Sequence, residues 1–128
     1  MSELGCHYDH PLLTMQTAIC YCEAGQPERA AELYREHLDD AQIAHRDRVY
    51  FLSLMASALA HAAEPDDAAS VGREALTVAV ETDSLRTIYE LERVCIILEP
   101  WRSQPAVHEL REAVLPFSGH RSSQSQRE

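Results

Sequence analysis

The sequence predicts an all-α protein, a short α-solenoid of antiparallel helix pairs, and three observations support this prediction. Ala and Leu are abundant, and the alternation of apolar and polar residues that is typical of β-strands is missing. Signals for helix starts and helix ends recur at a regular distance along the chain. Hydrophobic residues make up 45% of the 128 residues, which is enough for one domain with a buried core.

Proline and glycine mark the predicted helix boundaries. Pro11 lies in the first turn of the first helix, and Gly25 ends this helix because glycine readily adopts the left-handed conformation of a helix C-terminus. Pro27 and Pro65 open the second and fourth helices in the same way. In chain order, the six predicted helices span about 11–24, 27–45, 46–64, 66–81, 85–98 and 103–114.

Both ends of the chain are polar. Residues 1–10 form a lead-in that lacks the apolar stretch of a signal peptide, so we expect a cytoplasmic protein whose cysteines are free thiols. Residues 117–128 are rich in Ser, Gln and Arg and are predicted to form a disordered tail. A membrane protein is not expected either, because no apolar run approaches the roughly 20 residues of a membrane-spanning helix.

The charge of the chain is strongly negative, with a formal net charge of −10. A nucleic-acid backbone binds to dense cationic surfaces, so no direct nucleic-acid binding by this chain is expected. Residues 1–83 hold 15 acidic residues and 5 Arg, whereas residues 84–128 hold 6 of each. We expect this excess to cover a solvated exterior around a more apolar groove, which favours a hydrophobic partner over a basic one.

The helices fall into three pairs that align with one another at a shift of 38 residues. The repeats span about 11–45, 46–83 and 84–116, and Gly25 and Ala63 mark equivalent turns. Small residues recur where the two helices of a pair approach each other, and larger ones recur beside them. The aligned sets are Ala18, Ala56 and Val94; Tyr21, Leu59 and Ile97; Ala30, Ala68 and Ala106; and Leu38, Leu76 and Val114.

This pattern resembles the tetratricopeptide repeat family. The family motif has a small residue and an aromatic residue in the first helix, Gly at the turn, and Ala followed by an aromatic residue in the second helix. Gly72 occupies the second aromatic position in repeat two, and the 38-residue spacing exceeds the family's usual ~34 residues. The resemblance covers residues 11–116 and implies a helical repeat domain. The motif residues of repeat one are Ala18, Tyr21, Gly25, Ala30 and Tyr34.

A second resemblance concerns residues 98–110. This segment, which begins Leu98-Glu99-Pro100-Trp101, is similar to the end of the helical sensor region of some bacterial transcription regulators. Those regulators carry a helix-turn-helix followed by tetratricopeptide-like repeats. The similarity implies a bacterial transcription-regulatory or signalling system, in which the chain is either the C-terminal part of such a regulator or a stand-alone relative.

The tetratricopeptide register implies that the first helix of each pair lines a concave groove. The function implied is non-catalytic binding of a protein or peptide. Two alternatives stay open, since the same residues could form ordinary core or pack against a second copy in a homodimer. The carboxylate clamp known from some family members is not supported, because the chain has no Lys or Asn. The groove residues are Leu12, Met15, Ile19, Cys22, Tyr50, Ser53, Ser57, His61, Ile88, Leu91 and Cys95.

Metal binding and catalysis are not predicted. Cys20 and Cys22 point about 200° apart on a helix, which does not suit a shared zinc ion, and no cofactor motif is present. No His has a Ser, Cys or Asp at the spacing of a nucleophile and its base. The other residues weighed as zinc ligands are Cys6, His7 and His10. The alternative function is a small-molecule-binding or catalytic helical protein with a pocket near Met15, Cys22, His61 and Cys95.

Overall fold

The computed structural model describes the backbone of residues 2–127 and the side chains of residues 12–117. Within these residues the predicted all-α class and the six helices are confirmed, and no strand is present. The helices are α1 (Ser2–Glu23), α2 (Pro27–His37), α3 (His45–His61), α4 (Pro65–Thr82), α5 (Leu85–Ile97) and α6 (Pro105–Arg127), with a 3-10 turn at Glu99–Trp101. None of them has the length and apolar composition that crossing a bilayer requires.

Three helices differ from the predicted bounds: the first and last are longer, and α2 ends at His37 instead of near residue 45. α2 stops early because the chain turns at Asp40, whose carboxylate accepts from the amide of Gln42 and whose carbonyl accepts from that of Ile43. α1 begins at Ser2 instead of Pro11, and α6 continues to Arg127 instead of ending near Val114. A proline removes one intrahelical hydrogen bond and disfavours a helix without forbidding it, so Pro11 and Pro116 do not end these helices. The disordered tail predicted for residues 117–128 stays a prediction, because the side chains beyond Phe117 lie outside the described residues.

The helices pack mainly against their neighbours in the chain. Each of α1 to α5 contacts the helix that follows it, and α3 also packs on α5 while α4 packs on α6. α1 touches α3 as well, so the first helices of the three pairs contact one another in succession. α3 lies in the middle of this arrangement and is almost entirely buried from Phe51 to Ala60.

The turns after α1 and α3 have the same construction. Gly25 and Ala63, which are 38 residues apart, both adopt positive φ, at 82° and 62°. In each turn the amide of the next residue donates to the carbonyl five residues earlier, over 2.8 Å after Gly25 and 3.0 Å after Ala63. This left-handed closure satisfies carbonyl groups at the helix end and turns the chain back along the preceding helix.

Small residues in the core allow the helices to approach closely. Ala18, Ala56 and Val94 are fully buried, in agreement with their aligned positions in the sequence. Gly72 of α4 faces Leu110 of α6, and a Cβ atom on this glycine would lie 3.1 Å from a Leu110 methyl group. Because Gly72 has no side chain, Leu110 can pack directly against the backbone of α4.

Candidate functional site

A cleft of about 330 Å³ lies between α1, α3 and α5, with α2 behind it. We call it the α1/α3/α5 cleft. It combines aliphatic, aromatic and charged side chains, which is typical of sites that bind a ligand in a defined orientation. Its lining residues are Ile19, Cys22 and Glu23 of α1, Tyr34 of α2, Tyr50, Leu54, Ser57 and His61 of α3, and Glu90 and Arg93 of α5.

The structure brings together part of the groove that the sequence predicts. The predicted groove residues that line this cleft come from α1 and α3. They differ in exposure, because Ser57 is buried while His61 is exposed. The predicted groove residues in the cleft are Ile19, Cys22, Tyr50, Ser57 and His61.

Other predicted groove residues face inward instead. Met15, Ser53 and Leu91 are fully buried, and Ile88 is 6% exposed. Because these side chains pack in the core, they cannot contact a partner in the folded protein. For these four residues the structure agrees with the alternative interpretation of the predicted groove, in which the residues form ordinary core.

Two further groove residues lie apart from the cleft. Leu12 on α1 is 48% exposed and does not line it. Cys95 lines a second cavity of about 580 Å³ between α5 and α6. The pocket of the alternative function is therefore not assembled as one site: Cys22 and His61 meet in the cleft, Met15 is core, and Cys95 lies elsewhere.

The thiols near these cavities are held in their protonated form. Burial raises the pKa of Cys95 to about 11, against the opposing effect of Arg111. Burial, with a smaller effect from Glu90 and Glu23, also raises the pKa of Cys22. A neutral thiol is a poor nucleophile and a poor metal ligand, so neither cysteine is prepared for covalent chemistry.

Arg111 joins the end of α5 to α6. Its guanidinium donates to the backbone carbonyl of Cys95 over 3.0 Å and pairs with Glu99 at 2.9 Å. The carbonyl belongs to the last turn of α5, where carbonyl groups lack a partner within the helix. This arginine thus holds the second cavity in shape.

Glu90 is a cleft residue that sequence reasoning missed. Its side chain is only 8% exposed and lies 3.5 Å from the Arg93 guanidinium. Burial raises its pKa, while Arg93, Ser57 and His61 oppose the change. A signal was present in the sequence, since Glu90 precedes Val94 by four residues and so lies on the apolar stripe of its helix.

Tyr50 is held at the edge of the cleft by an arginine from α5. The Arg86 guanidinium lies 4.4 Å from the centroid of the Tyr50 ring, and it also pairs with Asp47 at 3.0 Å. A cation above an aromatic face is attracted by the negative charge density of the ring. The contact links α3 to α5 and fixes one wall of the cleft.

The described side chains contain no group of three or more His, Cys, Asp and Glu that could hold a metal ion. Cys20, one of the residues weighed as a zinc ligand, is exposed on α1. Three other residues weighed as zinc ligands, Cys6, His7 and His10, lie outside the described side chains.

In comparisons with known proteins, no family model, no curated protein and no solved structure matches this chain. The functional proposals below therefore rest on the contacts, burial and charge of the chain's own residues.

Proposed function

We propose that this chain is a non-catalytic module that binds a protein or peptide in the α1/α3/α5 cleft. The observation that carries the proposal is the convergence of five predicted groove residues in one cleft. Ile19 and Leu54 supply apolar surface, Tyr50 supplies an aromatic wall, and Ser57 and Glu90 supply hydrogen-bonding groups. Apolar surface with a few polar groups is how helical domains commonly hold peptides.

The proposal includes a tetratricopeptide-like arrangement of the three helix pairs. The matching left-handed turns at Gly25 and Ala63 support it, as does the full burial of Ala18, Ala56 and Val94 at the 38-residue spacing. In such an arrangement the first helices of the pairs line one face, and the cleft lies between these helices.

The biological setting that we propose follows the resemblance of residues 98–110 to helical sensor regions of bacterial transcription regulators. In this setting the chain works in the cytoplasm and binds a partner, and another domain contacts DNA. The net charge of −10 supports this division of roles, because a strongly acidic surface repels the DNA backbone. We also propose that the chain forms a homodimer.

A second candidate function is the binding of a small molecule in the same cleft. Three polar side chains, those of Cys22, His61 and Glu90, converge in it, and its volume of about 330 Å³ falls in the range of small-ligand sites. A screen of small molecules that raises the melting temperature only of a protein with an intact cleft would favour this candidate.

The test of peptide binding is a selection of short random peptides displayed on phage against the purified protein. Enriched peptides are expected to lose at least roughly tenfold in affinity for an Ile19→Asp variant, because the aspartate places a charge on the apolar wall. Leu13→Asp is the matched control, since Leu13 is 61% exposed on the same helix and does not line the cleft.

Circular dichroism must show that both variants keep their helical content. Enriched peptides that bind the Ile19→Asp variant as tightly as the native chain would reject the cleft as the binding surface. Substitutions of Met15 or Leu91 are unsuitable for this purpose, because both residues are fully buried and a charge there would unfold the protein.

A further inference from the structure

We propose that the α1/α3/α5 cleft accepts one cationic side chain of the bound peptide, a lysine or an arginine, with its charge against the Glu90 carboxylate and its hydrocarbon stem against Ile19 and Leu54. This inference rests on the proposed function of peptide binding and adds the chemical class that the cleft selects. Three independent features of the cleft support it: the pairing of Glu90, the apolar walls, and the charge of the surrounding surface.

The first feature is that the buried Glu90 carboxylate has capacity for another donor. Its contact with Arg93 is 3.5 Å long, whereas a charge-assisted hydrogen bond is about 2.7–2.9 Å long. The Arg93 side chain is 71% exposed and so remains largely in water. A carboxylate has about four acceptor sites, and the contact with Arg93 leaves room for a ligand's ammonium or guanidinium group.

The second feature is the apolar surface on the way to Glu90. Ile19 and Leu54 line the cleft from α1 and α3, and Tyr50 stands beside them. Lysine and arginine carry long hydrocarbon stems that pack on apolar surface while the charged group reaches a polar partner. A ligand cation could in principle bind over the Tyr50 ring, but the Arg86 guanidinium already occupies one face of that ring. We therefore place the positive charge of the ligand against the Glu90 carboxylate.

The third feature is the charge around the cleft. Glu23 lines the cleft with Glu90, and the surplus of acidic residues in the chain lies in residues 1–83, which form α1 to α4. Arg93 and His61 oppose this charge locally, but His61 is exposed and the net charge of the chain is −10. The sequence alone predicts that this charge lies on the exterior and favours a hydrophobic partner over a basic one. Because Glu23 and Glu90 bring negative charge into the cleft itself, we instead expect a partner that is apolar except for one cationic side chain.

The test uses the peptides selected from the random phage library and their synthetic variants. Binding peptides are expected to share a single lysine or arginine flanked by apolar residues. Replacing that lysine by norleucine keeps the stem and removes the charge, and it should weaken binding to the native chain by roughly tenfold or more. Fluorescence anisotropy of labelled peptides measures the dissociation constants.

Glu90→Gln provides the matching change on the protein. The variant should lose affinity for the lysine peptide to the same degree and should bind the norleucine peptide as the native chain does, because the charge pair is then absent on both sides. Glu92→Gln is the control, since Glu92 is the other buried glutamate of α5 and lines the second cavity instead.

The outcomes separate this inference from the proposed function. If the selected peptides lose binding with Ile19→Asp but are indifferent to norleucine and to Glu90→Gln, the cationic preference is overturned and peptide binding stands. If no peptide is enriched, or none responds to Ile19→Asp, the proposed function fails and the inference fails with it. The norleucine comparison uses the native chain, so it decides whether the cleft prefers a cation even if Glu90→Gln does not fold. In that case Glu23→Gln, at the other acidic residue of the cleft, should leave the affinity for the lysine peptide unchanged, and a loss there would assign the charge to Glu23.

Discussion

Ala63 and Glu90 occupy environments that are unusual for their residue types. Ala63 adopts a left-handed backbone conformation with φ of 62°, which L-residues with a Cβ atom rarely adopt. Glu90 has a carboxylate, yet the residue as a whole is only 7% exposed. The alignment of Gly25 with Ala63 indicated the turn in advance, whereas the burial of Glu90 depends on α3 packing against α5. Both residues lead to predictions about stability.

Ala63→Gly is expected to stabilise the protein. Glycine adopts positive φ without the steric cost of a Cβ atom, so the free energy of unfolding should rise by about 0.5–1 kcal/mol. The matched change is Gly25→Ala, which should lower it by a similar amount. Apart from Gly25 and its two neighbours in the chain, no residue has an atom within 4 Å of the new Cβ, so the backbone alone accounts for that cost. Urea denaturation of both variants measures the effect, and a destabilised Ala63→Gly would contradict it.

Glu90→Gln is expected to change how stability depends on pH. Burial raises the pKa of Glu90 above its ordinary value of 4.5, so protonation of this carboxyl favours the folded state. The stabilisation by the protonated carboxyl is therefore fully present below the pKa of Glu90 in the unfolded chain. It is lost as the pH rises through the higher pKa of Glu90 in the folded chain.

Glutamine has no such proton to lose. The free energy of unfolding of Glu90→Gln, relative to that of the native chain, should thus increase as pH rises from about 4 to about 7. Urea denaturation at a series of pH values measures this difference. A difference that stays constant over the whole range would show that Glu90 titrates alike in the folded and unfolded chain.

At the scale of helices, the starts of α2 and α4 follow from local signals, whereas the end of α2 and the outer bounds of α1 and α6 do not. Pro27 and Pro65 open α2 and α4, as the sequence predicts, because a proline in the first turn loses no helical hydrogen bond. α1 and α6 extend beyond the predicted bounds, and each contains a proline inside the helix. The contact between α4 and α6 depends on the packing of Leu110 against Gly72.

Gly72→Leu should destabilise the contact between α4 and α6. The new side chain would collide with Leu110, whose methyl group lies 3.1 Å from the Cβ position, and overpacking of this kind costs about 1–3 kcal/mol. Ser70→Leu is the control, because Ser70 is exposed on the same helix. Thermal unfolding followed by circular dichroism measures both.

Leu110→Ala tests whether the collision with Leu110 is the cause. Alone it should cost about 2–5 kcal/mol, because Leu110 is fully buried and its removal leaves a cavity. Combined with Gly72→Leu it should cost less than the sum of the two single changes, since the new leucine fills part of that cavity. Strict additivity of the two changes would exclude this account of the contact.

For the whole molecule, charge and apolar exposure are distributed unevenly. The excess of acidic residues lies in residues 1–83, whereas residues 84–128 are balanced. Large apolar side chains are exposed at both ends of the helix array. They include Leu12 and Leu13 on α1, which are 48% and 61% exposed, and Ile96 on α5 and Leu115 on α6, which are 73% and 59% exposed; the others among the described residues are Val80 on α4 and Leu85 and Tyr89 on α5.

We expect the chain to dimerise through the surface that contains Ile96 and Leu115. This surface belongs to residues 84–128, in which 6 acidic residues and 6 Arg balance, so two copies can bury apolar side chains there with little net repulsion between like charges. Size-exclusion chromatography with light scattering should give a dimer for the native chain and a monomer after Ile96→Asp with Leu115→Asp. Leu13→Asp should leave the dimer intact, and a monomeric native chain would refute the expectation.

The helical class and the turns at Gly25 and Ala63 can be predicted from the chain alone. Helix propensity, proline in the first turn and left-handed closure act between residues a few positions apart. The division of the predicted groove into cleft and core could not be predicted in this way. Met15 and Ile19 lie one helical turn apart on α1, yet Met15 is fully buried and Ile19 lines the cleft. That difference depends on where α3 and α5 lie against α1, and residues close to Met15 and Ile19 in the sequence do not determine this packing between distant segments.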